Sequence, residues 1–222
     1  MTNGLPNMIS SIVVDVLTGG SSGGAATVGA GAETALRQLL RKRHESARDI
    51  LLEELRDGTR TLDETGEVDE IVAILERYAR AAREGAARLN LRLLAKVIAG
   101  QAHIGNLVAS DFLYYSDLLA SLRREEIVFL AVLHRQRISI EKTDPTGISL
   151  LDLWQSVGTE LIPSLFADDD SMRATATALT RTGLIMIKDA TMDGLSYFTT
   201  TPIMDRLTSL LNIDDAIEKE TS

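Results

Sequence analysis

Between about Glu33 and Gln101 apolar residues recur every three or four positions, with charges of both signs between them. That is the period of helices that bury one face, and three helices fit. The first, about Ala32–Arg56, turns Leu36, Leu39, Leu40, Ala47, Ile50, Leu51 and Leu55 to one side and ends at "RDG", Arg56–Gly58. The second, about Glu67–Glu84, carries Val68, Ile71, Val72, Leu75, Tyr78, Ala79 and Ala82 as its buried stripe. The third, "AARLNLRLLAKVIAG" from Ala86 to Gly100, aims Leu89, Leu93, Leu94, Val97 and Ile98 at a partner.

The second half changes rhythm. In "ASDFLYYSDLLASLRREEIVFLAVLHRQ", Ser110 or Asp111 is a cap for a helix bearing Phe112, Leu113, Tyr115, Leu118 and Leu119. Ser121 is then the expected N-cap of a helix that buries Ile127, Val128, Leu130, Ala131 and Leu133. After the turn signal "TDPTG" come "SLLDLWQSVGTELI" and "DDDSMRATATALTRTGLI", where Asp168–Asp170 put negative charge at a helix N-terminus and Gly183 ends the helix. "LIMIKD" and "LSYFTT" read as two strands joined by a turn at "MDG", and Thr201 with Pro202 opens a last helix through Leu211. Leu130, Leu133, Trp154, Leu179, Leu184 and Phe198 are expected to share one core with Phe166. Three helices, a hairpin and a helix in this order predict a winged-helix arrangement.

The order of the segments "NLRLLAKVIAG", "DFLYYSDLLASLRREEIVFLAVL", "ALTRTGLI" and "YFTTTPIMDRL" resembles the abortive-infection alpha-like domain family of bacteria over about residues 60–211. The motifs carrying it are hydrophobic and turn patterns without catalytic residues, and the glycine that follows the proline in that family is missing at Ile203–Asp205. The resemblance implies a place in phage-related or host-defence biology and transfers no functional residue. The expected organisation is mainly α: a glycine-rich apolar segment at 1–32, a helical bundle at 33–105, a winged-helix-like domain with a small β-hairpin at 106–213 and an acidic tail at 214–222.

Charge decides what such a domain can bind. The chain of 222 residues has 32 acidic against 23 basic residues, a net charge of −9, which opposes general attraction to phosphate backbones. A recognition helix over Asp170–Thr182 would offer DNA Arg173 and Arg181, with Lys188 on the wing, behind three aspartates. These three residues are the candidate contacts of the alternative reading, a DNA-binding regulator.

Chemistry is sparse elsewhere. There is no cysteine, which suits a reducing cytoplasm, and His44, His103 and His134 are scattered without partners at ligand spacing, so neither a metal nor a cofactor is expected. Glu53–Glu54 and Glu125–Glu126 lie on charged helix faces, and neighbours on a helix do not share a face as an acid/base pair would. "GSSGG" lacks the Gly-Lys-Ser/Thr ending of a phosphate loop. No basic stretch followed by a long apolar run opens the chain, and the expectation is a soluble, cytoplasmic, non-enzymatic interaction module.

The segment "MISSIVVDVLTGGSSGGAATVGAGAE" holds only one charge, Asp15, before Glu33. Its apolar part needs cover. Val13, Val14 and Leu17, with Gly20 and Gly24 at a spacing that lets helices approach closely, are the candidate self-association residues of a homo-oligomer. Two other readings stay open: a flexible linker, and contact with a membrane as a peripheral effector.

Overall fold

The computed structural model describes residues 30–57, 68–105, 107–143, 149–188 and 196–221. The chain is mainly helical with one two-stranded antiparallel hairpin, and it divides into two compact units, Met1–Ser121 and Leu122–Ser222. The division falls sixteen residues beyond the boundary expected at 105/106. The reason is the helix Ala109–Ala120, whose buried Phe112, Tyr115 and Leu119 pack on the preceding helices and so belong to the first unit.

Four helices form the described part of that unit: α1 Ala30–Asp57, α2 Val68–Glu84, α3 Arg88–Ile104 and α4 Ala109–Ala120. Gly85, with φ +91°, closes α2: its N–H meets Ala82 O while the Ala86 N–H reaches Ala81 O, the Schellman ending that only a left-handed residue permits at no cost. α3 touches α1, α2 and α4, so it is buried on almost every side instead of the one face expected, with Asn90 and Arg92 inside beside its leucines. α1 departs the other way. Ala47, Ile50 and Leu51 are buried, but Leu36 and Leu39 are 53% and 49% exposed. The cap of α4 is neither Ser110 nor Asp111: its N-cap is Val108, and Glu70 on α2 accepts the Ala109 N–H.

The second unit holds α5 Arg124–Thr143, α6 Leu150–Leu161, α7 Asp169–Leu179, a 3₁₀ turn Thr180–Thr182, β1 Ile185–Lys188, β2 Tyr197–Thr200, α8 Pro202–Leu210 and α9 Ile213–Thr221. Ser121 does not cap α5; its hydroxyl donates to Leu118 O at the end of α4, and Glu126 accepts the Arg123 N–H instead. Gly183 ends the 3₁₀ turn at φ +69°. Thr201 sits at the N-cap of α8 but gives its hydroxyl to Gly183 O at 2.6 Å, and Pro202 takes the first helical position. Residues expected as an acidic tail form α9 instead, since Ile213 and Ala216 bury against α5. Residues 144–148 and 189–195, where the sequence places turns, lie outside the described residues.

The expected core assembles around aromatic rings. Leu130, Leu133, Trp154, Phe166, Leu179, Leu184 and Phe198 are all buried. Phe129 meets Trp154 and Phe166 edge to face at 6.2 and 6.3 Å between ring centres, and Trp154 lies 5.5 Å from Phe198. β2 is buried along its whole length, whereas β1 exposes Met186, Ile187 and Lys188.

Candidate functional site

The residues singled out for DNA contact lie on α7, the 3₁₀ turn and β1. Asp168 starts α7 by accepting the Ser171 N–H at 2.8 Å, and the Ser171 hydroxyl faces the Asp168 N–H in return. The bond from the Ser171 backbone, then that from its hydroxyl, holds the Asp168 carboxyl below its ordinary range. The leading end of α7 therefore stays anionic, which repels a phosphate backbone.

Arg173 is committed inside the unit. Its Nε donates to Asp169 at 2.5 Å and its Nη1 to Ser196 O at 2.5 Å, and the guanidinium lies 4.7 Å from the Trp154 ring centre and 5.5 Å from that of Tyr197. Trp154 Nε1 donates to the other oxygen of Asp169 at 2.7 Å. Arg173 thus ties α6, α7 and the root of the hairpin together. Arg181 is also engaged: its guanidinium donates to the two Glu126 oxygens at 2.8 and 3.2 Å and to Ala178 O at 2.7 Å. Burial alone would raise the Glu126 carboxyl, but the bonds from Arg181 and the Arg123 N–H, with the charges of both arginines, outweigh it and lower it. The same bond holds Arg181 above its ordinary value against a smaller opposing effect of burial. What α7 leaves exposed is Asp169, Asp170, Ala174, Thr177 and Ala178. Lys188 is exposed at the end of β1.

Beside β1 lies an open groove of about 460 Å³, lined by Leu150, Met186, Lys188, Thr199, Arg137 and Asp205 among others. Arg137 pairs with Glu141 at 2.7 Å and with Asp205. Two cations and two carboxylates line it, so it offers no net field to hold a phosphate. A neighbouring hollow contains His134, whose Nε2 lies 3.2 Å from Thr208 Oγ1 and 3.4 Å from Asp205. Burial and the charge of Arg137 lower the His134 pKa, against the opposing pull of Asp205 and Asp214. Hydroxyl and carboxylate meet the same ring nitrogen, whereas a relay that activates a nucleophile needs them on opposite nitrogens.

Two buried ion clusters were not foreseen. Glu54 is not on a solvated face: it is buried and accepts Arg92 at 2.6 Å and Lys96 at 2.8 Å, with Glu53 3.1 Å from Arg92 at the rim. Glu126 is buried likewise. The available signal was phase: Glu54 continues the stripe Ala47, Ile50, Leu51 at the next helical step, and Glu126 precedes Ile127 and Leu130 in the same way. Nearby, Tyr78 donates to Ala47 O at 2.8 Å, and burial pushes its phenol up, Arg92 opposing and Glu54 adding.

The self-association candidates Val13, Val14, Leu17, Gly20 and Gly24 lie outside the described residues. Among the described residues no group of three or more His, Asp or Glu side chains could hold a metal ion, and no helix is long and apolar enough to cross a membrane. No protein family, curated protein or solved structure matches the chain.

Proposed function

We propose that this chain is a non-enzymatic interaction module that forms a homo-oligomer through its N-terminal segment, and that its second unit is a winged-helix-like domain adapted to protein contact. The observation that carries the reading is the fate of the two arginines. Arg173 and Arg181, the cations a recognition helix would present, are spent on Asp169 and Glu126 within the unit. The face of α7 left open has no side chain able to make a bidentate contact to a base edge. The resemblance to the abortive-infection alpha-like family supports a place in phage-related or defence biology.

The test is binding of random duplex DNA by the full chain across a salt series. The expected outcome is weak binding without a steep salt dependence, because the chain carries a net charge of −9 and both α7-side arginines are paired within the unit. Tight binding that weakens steeply with salt, and that Lys188→Ala reduces, would establish the DNA-binding regulator instead.

A further inference from the structure

We infer that β1 is the acceptor edge for residues 15–18 of a second copy of this chain, which add to the hairpin as a third, antiparallel strand; this rests on the homo-oligomer proposed above. Three observations lead there.

The first is hydrogen bonding. β1 pairs with β2 in the register Ile185↔Thr200, Met186↔Thr199, Ile187↔Phe198 and Lys188↔Tyr197, and the Thr201 N–H donates to Leu184 O just before it. Antiparallel pairs alternate between bonded and non-bonded. The bonded pairs are therefore Leu184–Thr201, Met186–Thr199 and Lys188–Tyr197, and the backbone groups of Ile185 and Ile187 point to the outer edge. The second observation is exposure: β2 is buried throughout, while Met186 and Ile187 are 44% and 50% exposed on that edge. An apolar edge strand is a template for pairing.

The third is the chemistry of the apolar run Ile12–Thr18, which holds a single charge. "IVVDVLT", Ile12–Thr18, is rich in the β-branched residues that suit strands. It lies among the 29 residues that precede α1. Its one charge, Asp15, complements Lys188 on β1. Set antiparallel with Asp15 opposite Lys188, the register places Val16 opposite Ile187, Leu17 opposite Met186 and Thr18 opposite Ile185. Val16 and Thr18 then bond to the outward backbone groups. Asp15 and Leu17 fall on the face shared by Met186 and Lys188, where the 460 Å³ groove has room for Leu17. Because each copy both donates and accepts, two copies close a symmetric dimer.

The chain has no cysteine, so engineered pairs report on register without background. In the non-bonded Leu17–Met186 pair the Cα separation of about 4.5 Å falls within the range a disulfide spans. The full chain carrying Leu17→Cys and Met186→Cys should oxidise to a covalent dimer, and Leu17→Cys with Ile187→Cys, one residue out of register, should not. Ile187→Pro removes only an outward N–H, which an edge strand tolerates, and should weaken dimerisation at least about tenfold, the equivalent of one lost hydrogen bond of roughly 1.4 kcal/mol. The charge reversals Asp15→Lys and Lys188→Asp should each weaken it and restore it in combination. A disulfide formed at monomer mass, covalent dimers from Met186→Cys alone, or no cross-link in a chain that remains dimeric by light scattering would each overturn the strand addition while leaving the homo-oligomer intact. A full chain that is monomeric would overturn both.

Discussion

Glu54 shows what a single buried charge does to this fold. Its carboxylate is the shared partner of Arg92 and Lys96, so Glu54→Ala takes from both cations their buried carboxylate and leaves Arg92 the half-exposed Glu53 at the rim. The expected cost is about 3–5 kcal/mol, the range for removing one partner of a buried pair, read from chemical denaturation. A change below about 1 kcal/mol, the value of an exposed pair, would place the cluster in solvent. Gly183→Ala isolates a backbone effect: its new Cβ meets only Ile203 Cδ1 at an ordinary 3.6 Å, leaving about 1–2 kcal/mol from the left-handed φ. Acid should destabilise the second unit in two windows. His134 in the folded state lies below its ordinary value of 6.5. The unfolded chain thus binds the proton first, and stability present above 6.5 is lost as pH falls below it. Glu126 is lowered from 4.5, so its contribution is present above 4.5 and fades as pH falls below that value. Urea midpoints measured against pH should decline through both windows, and His134→Gln should remove the decline in the upper one.

Among the helices and strands, α6, α7 and the hairpin act as one piece because Trp154, Arg173, Asp169 and the hairpin residues Ser196 and Tyr197 interlock. Trp154→Ala removes the ring that touches Phe129 and Phe198, and the expected loss is about 3–5 kcal/mol. An unchanged thermal midpoint would show that the core is centred elsewhere. The order of the elements was readable because helix and strand periods, caps and turn residues act within a few positions. Asp168, Gly183 and Pro202 each stand where a local rule puts them. Ser121 departs from the local capping rule for a physical reason. The sequence offers a hydroxyl near the start of α5, but the Ser121 hydroxyl is already bonded to Leu118 O, and Glu126, three residues into α5, reaches the Arg123 N–H instead.

For the assembled chain, the expected species is a homo-oligomer that depends on the residues preceding α1. Native mass spectrometry of the full chain and of a variant lacking residues 1–29 should give an oligomer and a monomer respectively, since the deletion removes the apolar run but none of α1. Monomers from both would end the self-association reading, and liposome co-sedimentation of the full chain alone would favour a membrane partner. The self-association residues are legible in composition, because an apolar run with a single charge beside a charged chain needs cover. Their acceptor could not be named that way, because the outward backbone groups of β1 follow from pairing to β2.

The amino-acid sequence alone determined the helical class, the hairpin, the aromatic core and the acidic end of α7, since each depends on spacing within a turn or on side-chain type. Only the tertiary structure decided which charges are buried and which neighbours serve as caps. Arg92 meets Glu54 across 38 positions, Ala109 is capped by Glu70 across 39, and Arg181 finds Glu126 across 55. No local period encodes such distances; they are set when packed helices exclude water and each buried charge or N–H must take the partner that the fold brings within reach.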